Sequence, residues 1–150
     1  MSDSVYNSNN NLSQSKSLSI SAIAEEIPCG NFNLLSLNIC SLNGHYEELQ
    51  EFLAAEQDNL FDVICLQEVW SINSDYSLPG YHPLVFKSRD QNSDVNRNCG
   101  GGIAVYISNT LEFEILDELS VFRSGIYESI WLKINSKGDK SIIIGNIYRP

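Results

Sequence analysis

Positive charge is what this sequence has least of where it should matter. Up to Phe86 the only basic residue is Lys16, while from Lys87 onward acids and bases balance. The formal net charge of -10 therefore sits in the first part of the 150 residues. So acidic a chain is a poor electrostatic match to a polyanion, because Lys and Arg drive phosphate binding. Charge alone counts against nucleic acid unless a metal ion or further sequence supplies the positive charge. Paired cysteines are also missing. Cys29, Cys40, Cys65 and Cys99 form no CxxC, which argues against a zinc site. Cys65 lies in an apolar run and reads as a small buried hydrophobe. There is no basic-then-apolar leader and no run long enough to span a bilayer. The expected setting is intracellular, nuclear or cytoplasmic, with no membrane partner. Nothing indicates an oligomeric state.

What is present is enough for one domain with an ordinary apolar fraction. Residues 1–30 open with a Ser- and Asn-rich run that has little to bury, and they are expected to be a disordered tail. The domain is expected over 31–150. NFNLLSLNI, 31–39, reads as a strand with apolar residues on both faces. Tyr46, Leu49, Phe52 and Leu53 have helical spacing, with Asn43 as the expected N-cap of a helix over 43–58. A second buried strand is expected over 62–66. Strand, helix, strand with short joins is a crossover unit and implies parallel pairing. Short strands follow around PLVFKS, in GIAVYIS and over 111–116, with a polar loop at 89–102. IYESIWLKI and SIIIGNIYR, separated by a turn containing Gly138, read as a hairpin. The class is α/β. Pro150 directly follows a core strand, so the chain is expected to be truncated inside its fold.

Functional residues of open α/β sheets collect at the carboxyl ends of strands. Three strand ends carry polar groups after apolar runs: Asn38; then Gln67 and Glu68; then Asn146, Tyr148 and Arg149. Singly, each has a plainer reading. Glu68 is a turn cap or an ion-pair partner, or else a ligand for Mg²⁺, which takes one or two carboxylates and keeps several waters. Asn38 is a turn residue, and Tyr148 an amphipathic strand residue. Together they are expected to line one rim. Gly100, Gly101 and Gly102 do not form a phosphate loop, since no helix follows; they read as crowded backbone entering a strand. Trp70 and Trp131 read as packing residues, His45 and His82 as surface residues.

LSLNICSL, DVICLQEVW, GGGIAVYIS and IIIGNIYRP resemble, in order and spacing, the first half of the endonuclease/exonuclease/phosphatase superfamily. Within it they look most like the endonuclease domain of non-LTR, LINE-type retrotransposon polyproteins. The resemblance implies a DNase I-like four-layer α/β sandwich, of which this chain is a partial form. It implies that Glu68 binds the catalytic metal, Mg²⁺ or Mn²⁺. By the same resemblance Asn38 helps hold the metal and phosphate, Tyr148 hydrogen-bonds a phosphate oxygen, and Arg149 touches the DNA backbone. DNA is thus expected as a partner from the resemblance and not from charge.

Two departures accompany it. Cys40 stands where relatives often carry a polar or charged residue. The family's later Asp-x-Asn, further Asp and Ser-Asp-His are expected beyond NIYRP. Ser74-Asp75 and Ser93-Asp94 lack the following His, and Gly138-Asp139 is followed by Lys140. The expectation is an inactive fragment of a metal-dependent DNA endonuclease. The alternatives are an abasic-site, inositol-phosphate or sphingolipid phosphoesterase of the same superfamily, or a non-catalytic remnant or interaction module.

Overall fold

A computed structural model describes residues 31–54, 60–70, 72–87, 100–123, 126–135 and 140–149. The expected tail (1–30), most of the polar loop (88–99) and the hairpin turn (136–139) lie outside the described residues.

β1 (Leu34–Asn38) and β2 (Val63–Gln67) pair in parallel, from Leu34 beside Val63 to Asn38 beside Gln67. Parallel neighbours need a crossover, and α1 (Leu42–Ala54) provides it. β4 (Ile103–Ile107) runs antiparallel along the other side of β2, and β3 (Val85–Lys87) flanks β4, giving the order β1-β2-β4-β3. In the second sheet β7 (Tyr127–Asn135) is central. β5 (Glu112–Ile115) and β6 (Phe122–Arg123) share one of its edges, and β8 (Ser141–Tyr148) forms a full antiparallel hairpin with it on the other.

VICLQ and IAVYI are apolar almost throughout because both faces of the first sheet are covered. One face gives Ile64, Leu66, Ala104 and Tyr106 to a core closed by Leu42 and Leu49 of α1. The other gives Val63, Cys65, Ile103, Val105 and Ile107 to a core shared with Ile130, Leu132, Ile134 and Ile144 of the second sheet. The layers are therefore helix, sheet, sheet. Tyr106 is fully buried, and its hydroxyl donates to Tyr76 O at 2.7 Å, which supplies the partner a buried phenol requires. The second sheet's outer face is open: Ile143 is 61% and Ile147 47% exposed. Trp131 lies flat over Gly145, where a Cβ would come within 2.7 Å of the ring.

Some local expectations change. Ser41, not Asn43, caps the helix: its Oγ accepts the Gly44 amide at 3.2 Å, and Asn43 Oδ1 accepts the Tyr76 hydroxyl at 2.9 Å. His45 leaves helical geometry (φ -125, ψ 15) and kinks the first turn. β6 was not anticipated, since two residues carry no periodicity.

Candidate active site

Parallel pairing brings the carboxyl ends of β1 and β2 out on one rim. Antiparallel β4 enters at that rim, with Ile103 beside Gln67. Beyond the last rung the backbone stays stitched. Ser41 N donates to Glu68 O at 2.8 Å, and Trp70 N donates to Gly101 O at 2.8 Å. Val69 N donates to Gly102 O at 3.1 Å. The two loops leaving β1 and β2 hold all the described non-glycine residues at positive φ: Cys40 (50), Ser41 (93), Glu68 (58) and Trp70 (60). Left-handed backbone at such residues costs about 1–3 kcal/mol each and persists only where surroundings enforce it. The strain marks this rim as the place where side-chain direction takes precedence over backbone comfort.

Glu68 is half-buried there, and donors converge on it. Oε2 accepts the Gly101 amide at 2.9 Å and the Trp70 indole Nε1–H at 3.0 Å. Oε1 accepts the hydroxyl of Tyr148, which arrives from the other sheet. The carboxylate's orientation is fixed by backbone, indole and phenol together.

Tyr148 reaches Glu68 because Asn146 ties the sheets together beneath it. Asn146 is 2% exposed. Its Nδ2 donates to Leu66 O and Ala104 O, each at 3.0 Å, and its Oδ1 accepts Gln67 Nε2 at 2.6 Å. Inward residues of β8 alternate, so Ile144, Asn146 and Tyr148 share a face. Asn38 stands on the same rim, one strand over, and is exposed. Its Oδ1 accepts the Cys40 amide at 3.2 Å. Arg149 is exposed, one residue past the end of β8.

A second acid belongs to this region and was missed in the sequence. Glu128 of β7 is fully buried, and its Oε2 accepts the Gly102 amide at 2.6 Å. It pairs across the hairpin with Tyr148. The available signal was an acid on the inward phase of YESIWLKI, flanked at the same phase by Ile130 and Leu132.

Other residues are reassigned. Trp70 is a hydrogen-bond donor to Glu68 and not only a packing residue. Crowding at Gly102 is as expected: a Cβ would come 2.9 Å from Val69 Cγ2 and 3.0 Å from Trp70 O. The added finding is that Gly101 and Gly102 offer their amides to carboxylates. The histidines are not plain surface residues. Both are part-buried: His45 Nδ1 is 3.2 Å from Ser41 O, and His82 Nε2 is 3.0 Å from Leu111 O with its ring on Phe113. A groove of about 600 Å³ opens between β1 and α1, lined by Leu34, Leu37, Leu49 and Phe52; it reaches Asn38 but not Glu68.

Comparison with protein families decides the class. A model described as "Endonuclease/Exonuclease/phosphatase family" matches residues 30–137. The chain belongs to that family. Enzymes of the endonuclease/exonuclease/phosphatase family hydrolyse phosphoester bonds, generally with a divalent metal. The two-sheet α/β architecture with few helices is that of a partial DNase I-like domain of this family. The matched span includes Asn38, Glu68 and Glu128; Asn146, Tyr148 and Arg149 follow it. No curated protein matches the chain.

Among the described residues no three His, Cys, Asp or Glu side chains gather into a metal cage. Glu68 nevertheless suits the family's metal. A hard cation of the Mg²⁺ type takes oxygen ligands, needs only one or two carboxylates and retains water. A carboxylate oriented on a strained rim has that chemistry. Two Asp-x-Asn triplets, DQN at 90–92 and DVN at 94–96, do occur, but they precede β4 instead of following Tyr148 and lie outside the described residues.

Proposed function

We propose that this chain carries one half of the site of a divalent-metal-dependent DNA endonuclease of the retrotransposon type. The observation supporting it most is the meeting of Glu68 and Tyr148, two residues singled out in the sequence at the ends of β2 and β8. In this reading Glu68 holds the metal, with Asn38 beside it. The metal supplies Lewis acidity toward a phosphoryl oxygen. Tyr148 orients the carboxylate and, once substrate enters, donates to a non-bridging phosphate oxygen. Arg149 contacts the flanking backbone and, with the metal, offsets the acidity of the first 86 residues. GGGIAVYIS and NIYRP favour the retrotransposon branch over abasic-site, inositol-phosphate or sphingolipid phosphoesterases.

The general base and the phosphate-binding histidine of the family have no counterpart among the residues that meet at this rim. The 150-residue chain alone is therefore proposed to be catalytically silent. A form extended past Pro150 to carry Asp-x-Asn and Ser-Asp-His is expected to nick supercoiled plasmid with Mg²⁺. Nicking by that form and its loss in Glu68→Ala is the expected result. Equal nicking by Glu68→Ala would reject the assignment, and turnover of an inositol or sphingolipid phosphate instead would move it to another branch.

A second reading, a non-catalytic interaction module, is favoured by one feature: the open apolar face of the second sheet at Ile143 and Ile147. Monomeric behaviour at high concentration would count against it.

A further inference from the structure

Glu128 is the one fully buried carboxylate among the described residues, and no role assigned so far uses it. A carboxylate without exposure is costly, and an apolar residue of similar size commonly serves stability as well or better. Its neighbours suggest what it does instead. Gly101 and Gly102 are consecutive residues at positive φ (78 and 82), and their amides reach different carboxylates. Gly101 N donates to Glu68, and Gly102 N donates to Glu128. The carbonyls of the same two glycines accept Trp70 N and Val69 N. The glycine pair is thus a short bar held at one end by β7 and at the other by the loop bearing Glu68. No side chain can take the place of Gly102, because a Cβ there strikes Val69 and the Trp70 carbonyl. Glu128 also pairs with Tyr148 across the hairpin, so it stands beside two of the three groups that fix Glu68.

We propose that Glu128 is a positioning residue: through the Gly101–Gly102 amides it sets the orientation of the Glu68 carboxylate. The inference rests on Glu68 being the functional carboxylate. Its test does not require a metal to be bound.

The Trp70 indole N–H donates to the same Oε2 that Gly101 holds, and it reports where that oxygen is. In the ¹⁵N-labelled 150-residue chain, two indole signals are expected, and Trp70→Phe identifies which is which. Trp70 should resonate downfield of Trp131 and exchange slowly with solvent. In Glu128→Met the fold persists, Trp131 is unmoved, and the Trp70 signal moves upfield with exchange faster by about tenfold, the factor one hydrogen bond carries. Glu128→Gln retains an oxygen acceptor for Gly102 and restores the wild-type signal. A folded Glu128→Met with an unchanged Trp70 signal overturns the proposal. So does failure of Glu128→Met to fold, since that makes Glu128 a structural residue. Equal metal binding by wild type and Glu68→Gln, measured separately, would reject the functional reading while leaving the Trp70 result to stand.

Discussion

The hydroxyl of Tyr148 donates to Glu68 Oε1 across 80 residues of sequence and from one sheet to the other. No local rule brings these residues together. They meet because β1 and β2 are parallel, because β7 and β8 form a hairpin, and because Asn146 fastens the hairpin to the carbonyls of β2 and β4. Tyr148→Phe should leave the fold intact and cost about 1 kcal/mol in urea denaturation, the worth of one hydrogen bond. In a form extended to carry the later family motifs it should reduce nicking far more than it reduces stability. A Phe variant with undiminished nicking would remove Tyr148 from the site.

Asn146 should be more sensitive. Asn146→Ala removes the Nδ2 donor from Leu66 O and Ala104 O, while Gln67 Nε2 keeps Ser36 Oγ at 3.2 Å, a loss of about 2–4 kcal/mol at roughly 1–3 kcal/mol per group deprived. Asn146→Asp should be worse than Ala, because its carboxylate cannot donate and faces two carbonyl oxygens. Chemical denaturation of the pair settles this. An Asp variant as stable as Asn146→Ala would show that the Nδ2 bonds are unimportant.

Two glycines should respond oppositely to the same change. Gly102→Ala strikes Val69 and Trp70 O and adopts a left-handed φ, so a loss of at least about 2 kcal/mol is expected. Gly44→Ala, in the exposed first turns of α1, meets only Ser41 at 3.4 Å and should gain up to about 1 kcal/mol from helix propensity. Thermal melts of both variants check the sign of each.

Alkaline pH should destabilise the fold in a defined window. Burial pushes the Cys65 thiol up to about 11. Burial first, and then the charge of Asp62, pushes the Tyr81 phenol up to about 12. Both groups are neutral when protonated, and the folded state keeps the proton longer. Their contribution is therefore complete below the ordinary values, 9.0 and 10.0, and is lost as pH rises through 11 and 12. The melting temperature should begin to fall above pH 9, the thiol's ordinary value, and Cys65→Val should delay the onset. A constant melting temperature to pH 12 would contradict this.

Much of this fold was legible in the sequence because both central strands are buried on both faces. Continuous apolar runs at VICLQ and IAVYI, with a helical stripe between the first two strands, leave little freedom of topology. The strand-end polar residues Asn38, Glu68, Asn146 and Tyr148 stand out for the same reason, since each ends an apolar run. What remained hidden depends on side-chain direction. Trp70 looked like packing because a sequence does not reveal that its indole turns back on Glu68. Glu128 escapes a reading of the sequence because its burial comes from packing between the sheets. The cap moved from Asn43 to Ser41 because the chain turns through positive φ at Cys40 and Ser41, and neither residue type announces that.

The central claim is that Glu68 is an oriented ligand for a hard cation, and Trp70 provides a direct way to test it. Tb³⁺ is such a cation, and it luminesces when excited through a nearby indole. In the 150-residue chain, excitation of tryptophan should give a saturable Tb³⁺ signal that Mg²⁺ displaces. Glu68→Gln keeps the size and the acceptor oxygen but removes the charge, and it should abolish that signal while remaining folded. Indistinguishable titrations of wild type and Glu68→Gln would contradict the account.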